Sequence, residues 1–194
     1  MKEKIVRAFK ESMSVKQKFV NENVETIIEV SKVMAETFSN GGKLLLFGNG
    51  GSACDASHIA AEFVNRFKRE RPAVPALALN TDIAVLTSIA NDYDYVNVFE
   101  RQLKAFAQEG DIVMAISTSG KSPNVVKAVE AAKRKKIKTI ALTGEKGDKL
   151  AAISDYVFAV PSNNTPRVQE THITLGHVLC QMVEEILFES HRKK

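Results

Sequence analysis

Apolar side chains recur at helical spacing from the start of the chain: Ile5, Val6 and Phe9, then Phe19, Val20, Val24, Ile27, Ile28, Val33, Met34 and Phe38. That period predicts two helices within residues 3–38, the second stopped by Asn40-Gly41-Gly42. Beyond the glycines the pattern changes to short apolar runs: Leu44 to Phe47, Ala76 to Leu79, Ile112 to Ile116, Thr139 to Leu142 and Tyr156 to Val160. Uninterrupted runs suit parallel strands covered on both faces. Helical stretches separate them at about 53–68, 82–90, 95–108, 122–135 and 146–152, and a long last helix covers 166–190. This alternation predicts one α/β domain over residues 1–194, a three-layer αβα sandwich around a five-stranded parallel sheet. Its parts are a helical extension at 1–40, the sheet core at 43–160 and the C-terminal helix.

The 194 residues suffice for one such domain, and 44% hydrophobic with 26% charged residues is a globular composition. A net charge of +4 suits a small anionic substrate and gives no clustered basic face for nucleic acid. The densest basic run, Lys133-Arg134-Lys135-Lys136, falls at an expected helix C-terminus, where cations favour the macrodipole and sit in solvent. His191 is expected in a charged, solvated tail. Two cysteines without a CxxC, Cys54 and Cys180, read as small buried apolar groups in a reduced compartment. An N-terminus with no apolar signal region, and no run near the ~18 apolar residues that span a bilayer, predict a cytoplasmic protein with no membrane partner.

Ligands of doubly wound sheets bind beyond the carboxyl ends of the strands, so the loops there matter most. They read Gly48-Asn49-Gly50-Gly51-Ser52 after the first strand, Ser117-Thr118-Ser119-Gly120-Lys121-Ser122 after the third and Thr143-Gly144 after the fourth. Gly48-x-Gly50-x-x-Ala53 matches a loose dinucleotide fingerprint, but Glu70 and Asp82 are badly placed for the ribose acid. Gly120-Lys121-Ser122 resembles the tail of a nucleotide P-loop, which needs glycine where Ala115 stands. No nucleotide cofactor is expected. Ser122 as a helix N-cap, Pro123 at the first helical position and the hydroxyls of Ser117, Thr118, Ser119 and Ser122 instead predict a monophosphate site.

Asp55, His58 and Glu62, spaced i, i+3, i+7, share one helix face, and His58 with Glu62 can act on one substrate or grip one metal. The last helix carries Gln169, Glu170, His172 and His177. Glu170 falls within about 20° of His177 around that helix and Gln169 about 80° away, so spacing favours Glu170 as the partner. Function requires the His177 face to meet the His58/Glu62 face, within the subunit or across an interface.

Taken together, Gly48-Asn49-Gly50-Gly51-Ser52-x-Cys54-Asp55-x-x-His58-x-x-x-Glu62, Asn91-Asp92, Ser117-Thr118-Ser119-Gly120-x-Ser122 and Arg167-x-Gln169-Glu170-x-His172 with His177 closely resemble the bacterial phosphoheptose isomerases of the sugar isomerase (SIS) superfamily. The resemblance runs over almost the whole chain. It implies the SIS fold and conversion of sedoheptulose 7-phosphate to D-glycero-D-manno-heptose 7-phosphate through an enediol, the first step toward ADP-heptose for lipopolysaccharide. It implies a cytoplasmic homotetramer with sites at subunit interfaces and one zinc ion per subunit held by His58, Glu62, Gln169 and His177. Glu62 matches the general base and His177 the opposing acid. Asn49, Gly50, Gly51, Ser52, Glu62, Asn91, Asp92, Ser117, Thr118, Ser119, Ser122 and Gln169 match substrate contacts. Pro166 departs from an acidic residue of a close relative. Two other readings belong to the same superfamily: an isomerase for another ketose phosphate, and a non-catalytic protein that binds the bacterial replication initiator. The latter resembles the chain at Ala78-Leu79-Asn80-Thr81-Asp82 but lacks the carboxylate and imidazole that Glu62 and His177 supply.

Overall fold

In a computed structural model of the chain, residues 1–188 are described. The elements run α1 (Lys2–Ser39), β1 (Leu44–Gly48), α2 (Gly51–Val64), β2 (Ala76–Ala78), α3 (Ile83–Asp92), a 3-10 turn (Tyr95–Asn97), α4 (Val98–Phe106), β3 (Ile112–Ser117), α5 (Pro123–Arg134), β4 (Lys138–Gly144), α6 (Asp148–Ile153), β5 (Tyr156–Val160) and α7 (Thr165–Phe188). The five strands are parallel, as the apolar runs predict, and lie in the order β2-β1-β3-β4-β5.

Alternate strand residues feed two cores. Leu44, Leu46, Ile112, Met114, Ile116, Ile140 and Leu142 pack under α1, α2 and α7. Leu45, Phe47, Val113, Ala115 and Ala141 pack under α3, α4, α5 and α6. The chain leaves β1 toward one face and β3 toward the other, so the switch point lies between these neighbouring strands. The glycine loop and the serine loop leave the sheet side by side there.

Several boundaries differ from the sequence reading. The expected pair of N-terminal helices is one 38-residue helix, because no glycine or proline interrupts residues 10–18 and the serines there are too weak as breakers. The apolar side chains of its first turns are exposed in one chain, Phe9 70% and Met13 61%, while Glu11 pairs with Arg167. α2 stops at Val64 rather than near 68, since the Arg71 guanidinium takes the carbonyls of Glu62 and Phe63 at its end. The 95–108 stretch begins as a 3-10 turn capped by the Asp94 side chain before α4 forms. Cys54 is exposed, contrary to the expectation of two buried thiols, because the first turn of α2 turns it away from the sheet; Cys180 is buried. The basic run ends α5 exposed to solvent, as expected, and also makes pairs there: Lys133 with Asp155, Arg134 with Glu100, and Lys135 Nζ donating to the carbonyls of Lys104 and Ala107. Positions 189 and 190 of the expected last helix, and His191, lie outside the described residues. Among the described residues no helix is long and apolar enough to cross a membrane.

Candidate active site

At the switch point, the glycine loop hugs the sheet. A methyl group at Gly48 would lie 2.9 Å from the Ile116 carbonyl and 2.8 Å from Ser52, so only glycine lets β1 turn into α2 beside β3. Gly50 is the N-cap of α2, Gly51 its first residue, and Ser52 is buried in its first turn. Asn49 and Asn124 exchange two side-chain amide hydrogen bonds of 2.9 Å, and the Tyr95 hydroxyl donates to Asn49 Oδ1 at 3.0 Å. The glycine loop is thereby fixed to the start of α5.

The serine loop is folded on itself. Ser117 and Ser122 hydroxyls lie 3.0 Å apart, and Ser119 Oγ accepts the Lys121 N–H at 3.2 Å. Gly120 has φ +67° and touches the Gly147 carbonyl, to which an added methyl would come within 2.1 Å. Ser122 holds the N-cap position with Pro123 behind it, as expected, but its side chain makes no capping bond. Two clefts border the loop. Thr118 and Ser119 line one of about 240 Å³ with Lys121, Lys146 and Asp148, whereas Ser122 lines another of about 270 Å³ with Asn49 and Tyr95.

A second cluster forms where α2 and α7 pack together. His58 Nε2 is 3.1 Å from Glu62 Oε1 and 3.5 Å from His177 Nε2, and the two rings meet edge to face at 5.0 Å. The Phe67 ring stacks on His177 at 5.6 Å. The required meeting of the two helix faces thus occurs within one chain. Cys180, one turn beyond His177, has its thiol pushed far up, first by burial and then by the Glu62 carboxylate. Asp55 lies on the same helix as His58 and its Oδ2 is buried without a partner; burial raises the carboxyl to about 6, against the opposing pull of His58.

The spacing preference for Glu170 is overturned. Arg167 Nη1 grips both Glu170 oxygens at 2.7 and 2.6 Å, so Glu62 is the carboxylate beside the histidines. Gln169 lies elsewhere along the groove: its amide rests over Gly51, where a methyl would fall 2.4 Å from Nε2. Gly51 precedes His58 by about two helical turns, so Gln169 marks the far end of the α2/α7 groove. Asn91 and Asp92 are exposed at the end of α3 and pair with each other at 2.9 Å. His172 is fully buried. Its Nε2 lies 3.1 Å from the Thr143 carbonyl, an acceptor that requires the donor tautomer there, and burial lowers the imidazole to about 4.

The donor atoms of His58, Glu62 and His177 all lie within 4.8 Å of one another. Two imidazole nitrogens and one carboxylate oxygen converging from two rigid helices are a donor set that fits a divalent zinc ion with an open coordination position. The sequence reading did not single out Phe67, Arg71, Glu184, Tyr95 or Asn124. A usable signal existed for one of them: Glu184 follows His177 by seven residues and so shares its helix face.

The SIS domain family model matches residues 8–144. The phosphoheptose isomerase of Thermodesulfovibrio yellowstonii is 62% identical over 189 residues, covering 97% of this chain and 94% of its own. That of Aquifex aeolicus is 50% identical, covering 97% and 99%. Among solved structures, phosphoheptose isomerase GmhA from Neisseria gonorrhoeae superposes with a TM-score of 0.90 at 40% identity over 95% of this chain and 98% of that one. A phosphoheptose isomerase from Francisella tularensis gives 0.91 at 37% identity over 94% and 97%.

Proposed function

Since the chain belongs to the phosphoheptose isomerases of the SIS-domain family, we propose that its His58–Glu62–His177 cluster carries the isomerisation. The enzyme interconverts an aldose and a ketose, taking sedoheptulose 7-phosphate to D-glycero-D-manno-heptose 7-phosphate. The observation that carries the assignment of residues is the convergence of one carboxylate and two imidazoles from α2 and α7.

The reaction moves a proton from C1 to C2 of the ketose, and the residues present divide that task. Glu62 takes the C1 proton as general base and returns it to C2. The enediol between these events needs one proton delivered to O2 and one removed from O1, an exchange that an imidazole can carry out as general acid and base; that role falls to His177. Protons balance, with none gained or lost overall. Asn49, Gly50, Gly51, Ser52, Asn91, Asp92 and Gln169 contact the sugar, and Ser117, Thr118, Ser119 and Ser122 hold the phosphate. His58, Glu62 and His177 would hold zinc, whereas Gln169, at the far end of the groove in this chain, stands too far off to join them. When bound, the metal supplies Lewis-acid polarisation of the carbonyl.

The assembly is a cytoplasmic homotetramer of single SIS domains spanning residues 1–194. The exposed apolar side chains of α1 (Ile5, Phe9, Met13) and of α3 (Ile83) support burial against further copies. The test is turnover of sedoheptulose 7-phosphate by wild type, Glu62→Gln and His177→Gln, with and without chelator. Activity in the wild type with loss in both variants is expected. Full activity in both variants would overturn the assignment, and loss to chelator restored by zinc would support the metal.

A further inference from the structure

Glu184 lies on the His177 face of α7, seven residues further on, and its side chain is only 3% exposed. Its carboxylate accepts four donors: the backbone N–H groups of Phe67 at 3.3 Å, Lys68 at 3.2 Å and Arg69 at 3.0 Å, and Arg71 Nε at 3.1 Å. Arg71 is equally buried. Its Nη1 donates to the carbonyls of Phe63 at 2.7 Å and Pro72 at 3.0 Å, and its Nη2 donates to the Glu62 carbonyl at 2.8 Å. These bonds satisfy carbonyls that a helix end leaves without partners. One continuous path therefore runs from α7 through Glu184 and the 67–71 segment to the backbone of Glu62, and the same segment lays Phe67 on His177.

A buried ion pair is a weak source of stability, because apolar residues of similar volume often serve as well. An apolar pair could not hold three backbone N–H groups and three carbonyls in fixed places. We infer that Arg71 and Glu184 are positioning residues, which set Glu62 and His177 against each other at the reacting end of the substrate. The inference rests on the roles proposed above for those two residues. Neither Arg71 nor Glu184 bonds to the serine loop, so phosphate binding is independent of them.

The test compares wild type, Glu62→Gln, the double variant Arg71→Met/Glu184→Met and Phe67→Leu, in the zinc-loaded enzyme. Readouts are kcat and KM for sedoheptulose 7-phosphate, inhibition by inorganic phosphate, and the melting temperature. The double variant leaves no unpaired buried charge. Its kcat should fall on the order of 10²-fold, as a misplacement near 1 Å does. Its KM and phosphate inhibition should stay within about 3-fold, a split that a general loosening would not produce. Phe67→Leu keeps the ion pair and should lose about 10-fold in kcat with the same split. Wild-type kcat in either folded variant, or a matching loss of phosphate affinity, overturns the inference. If the double variant does not fold, Phe67→Leu decides alone. An inactive wild type or a fully active Glu62→Gln would instead refute the site assignment, separating the two failures.

Discussion

The serine loop and the α2/α7 cluster are built in opposite ways. The bonds within the loop span a few residues, Ser117 to Ser122, Gly120 N–H to the Ser117 carbonyl and Lys121 N–H to Ser119, and its longer ties, Gly144 N–H to the Thr118 carbonyl and Leu150 N–H to the Gly120 carbonyl, reach no more than 30 residues along the chain. The cluster joins His58 to His177 across 119 residues, and its alignment runs through a segment belonging to neither helix. A site assembled locally fails when a local residue changes. One assembled by packing also fails when a distant residue changes, and it fails in rate rather than in affinity. The contrast supports the proposed division, with binding at the loop and chemistry at the cluster.

The strongest way to break that division is Glu62→Gln, which keeps the shape and removes the base. Loss of 10²- to 10⁴-fold in kcat is expected, the range attributed to general base catalysis, with KM changed only a few-fold. Steady-state kinetics decide it: a KM effect without a kcat effect would move Glu62 to the binding side.

Next in size is a pH effect at the joint between the regions. His172 fastens α7 to the Thr143 carbonyl, beside the point where Gly144 N–H bonds the Thr118 carbonyl. Its imidazole is held down at about 4 by burial, against 6.5 when unfolded. The lowered value means that the unfolded state binds the proton first. The stability contribution is whole above pH 6.5 and is lost as pH falls from 6.5 to 4, up to about 3 kcal/mol. Asp55, raised to about 6 from 3.8, acts oppositely: its contribution is whole below 3.8 and lost as pH rises through 6. Solvent screening at this partly exposed carboxyl leaves His172 dominant. His172→Gln, which can still donate to Thr143, should flatten the decline in melting temperature between pH 6.5 and 4. An unchanged decline would place the acid sensitivity elsewhere.

These differences also explain what the sequence disclosed. The sheet was legible because each strand is a short apolar run, and the loop because its hydroxyls are consecutive. The pairing at His177 was not. Angular spacing favours Glu170 over Gln169; the i, i+3 spacing of Arg167 and Glu170 allows the pair that holds Glu170, but no spacing shows that a different helix brings Glu62. Arg71 and Glu184 escaped notice for the same reason, since a buried ion pair 113 residues apart has no local pattern. The uninterrupted α1 reflects the weakness of serine as a breaker, since the helix continues through turns whose apolar side chains are exposed in one chain.

Gly120→Ala is expected to act on the loop alone. Its positive φ and the 2.1 Å approach to the Gly147 carbonyl make a side chain strained there. A cost of about 2 kcal/mol should appear as a lower melting temperature and a raised KM. Stopped-flow or steady-state kcat should be nearly unchanged at saturating substrate. A kcat loss larger than the KM change would mean that the loop also sets the reacting geometry.

The smallest effect, and the sharpest discriminator, comes from Ser122→Ala. An N-cap serine normally contributes about 1 kcal/mol to helix stability through its side-chain acceptor. Here the hydroxyl makes no capping bond to α5 and lies 3.0 Å from Ser117 instead. Removing it should therefore leave the melting temperature within about 1 °C, corresponding to only a few tenths of a kcal/mol. A phosphate deprived of one hydroxyl donor loses about 1 kcal/mol, a rise in KM of roughly 5-fold at constant kcat. Calorimetry and substrate titration on the one variant separate the roles. Lost thermal stability with unchanged KM would make Ser122 an ordinary cap whose geometry tightens in solution. Raised KM with unchanged stability would mean that this helix start forgoes its own cap so that the hydroxyl remains available to an anion.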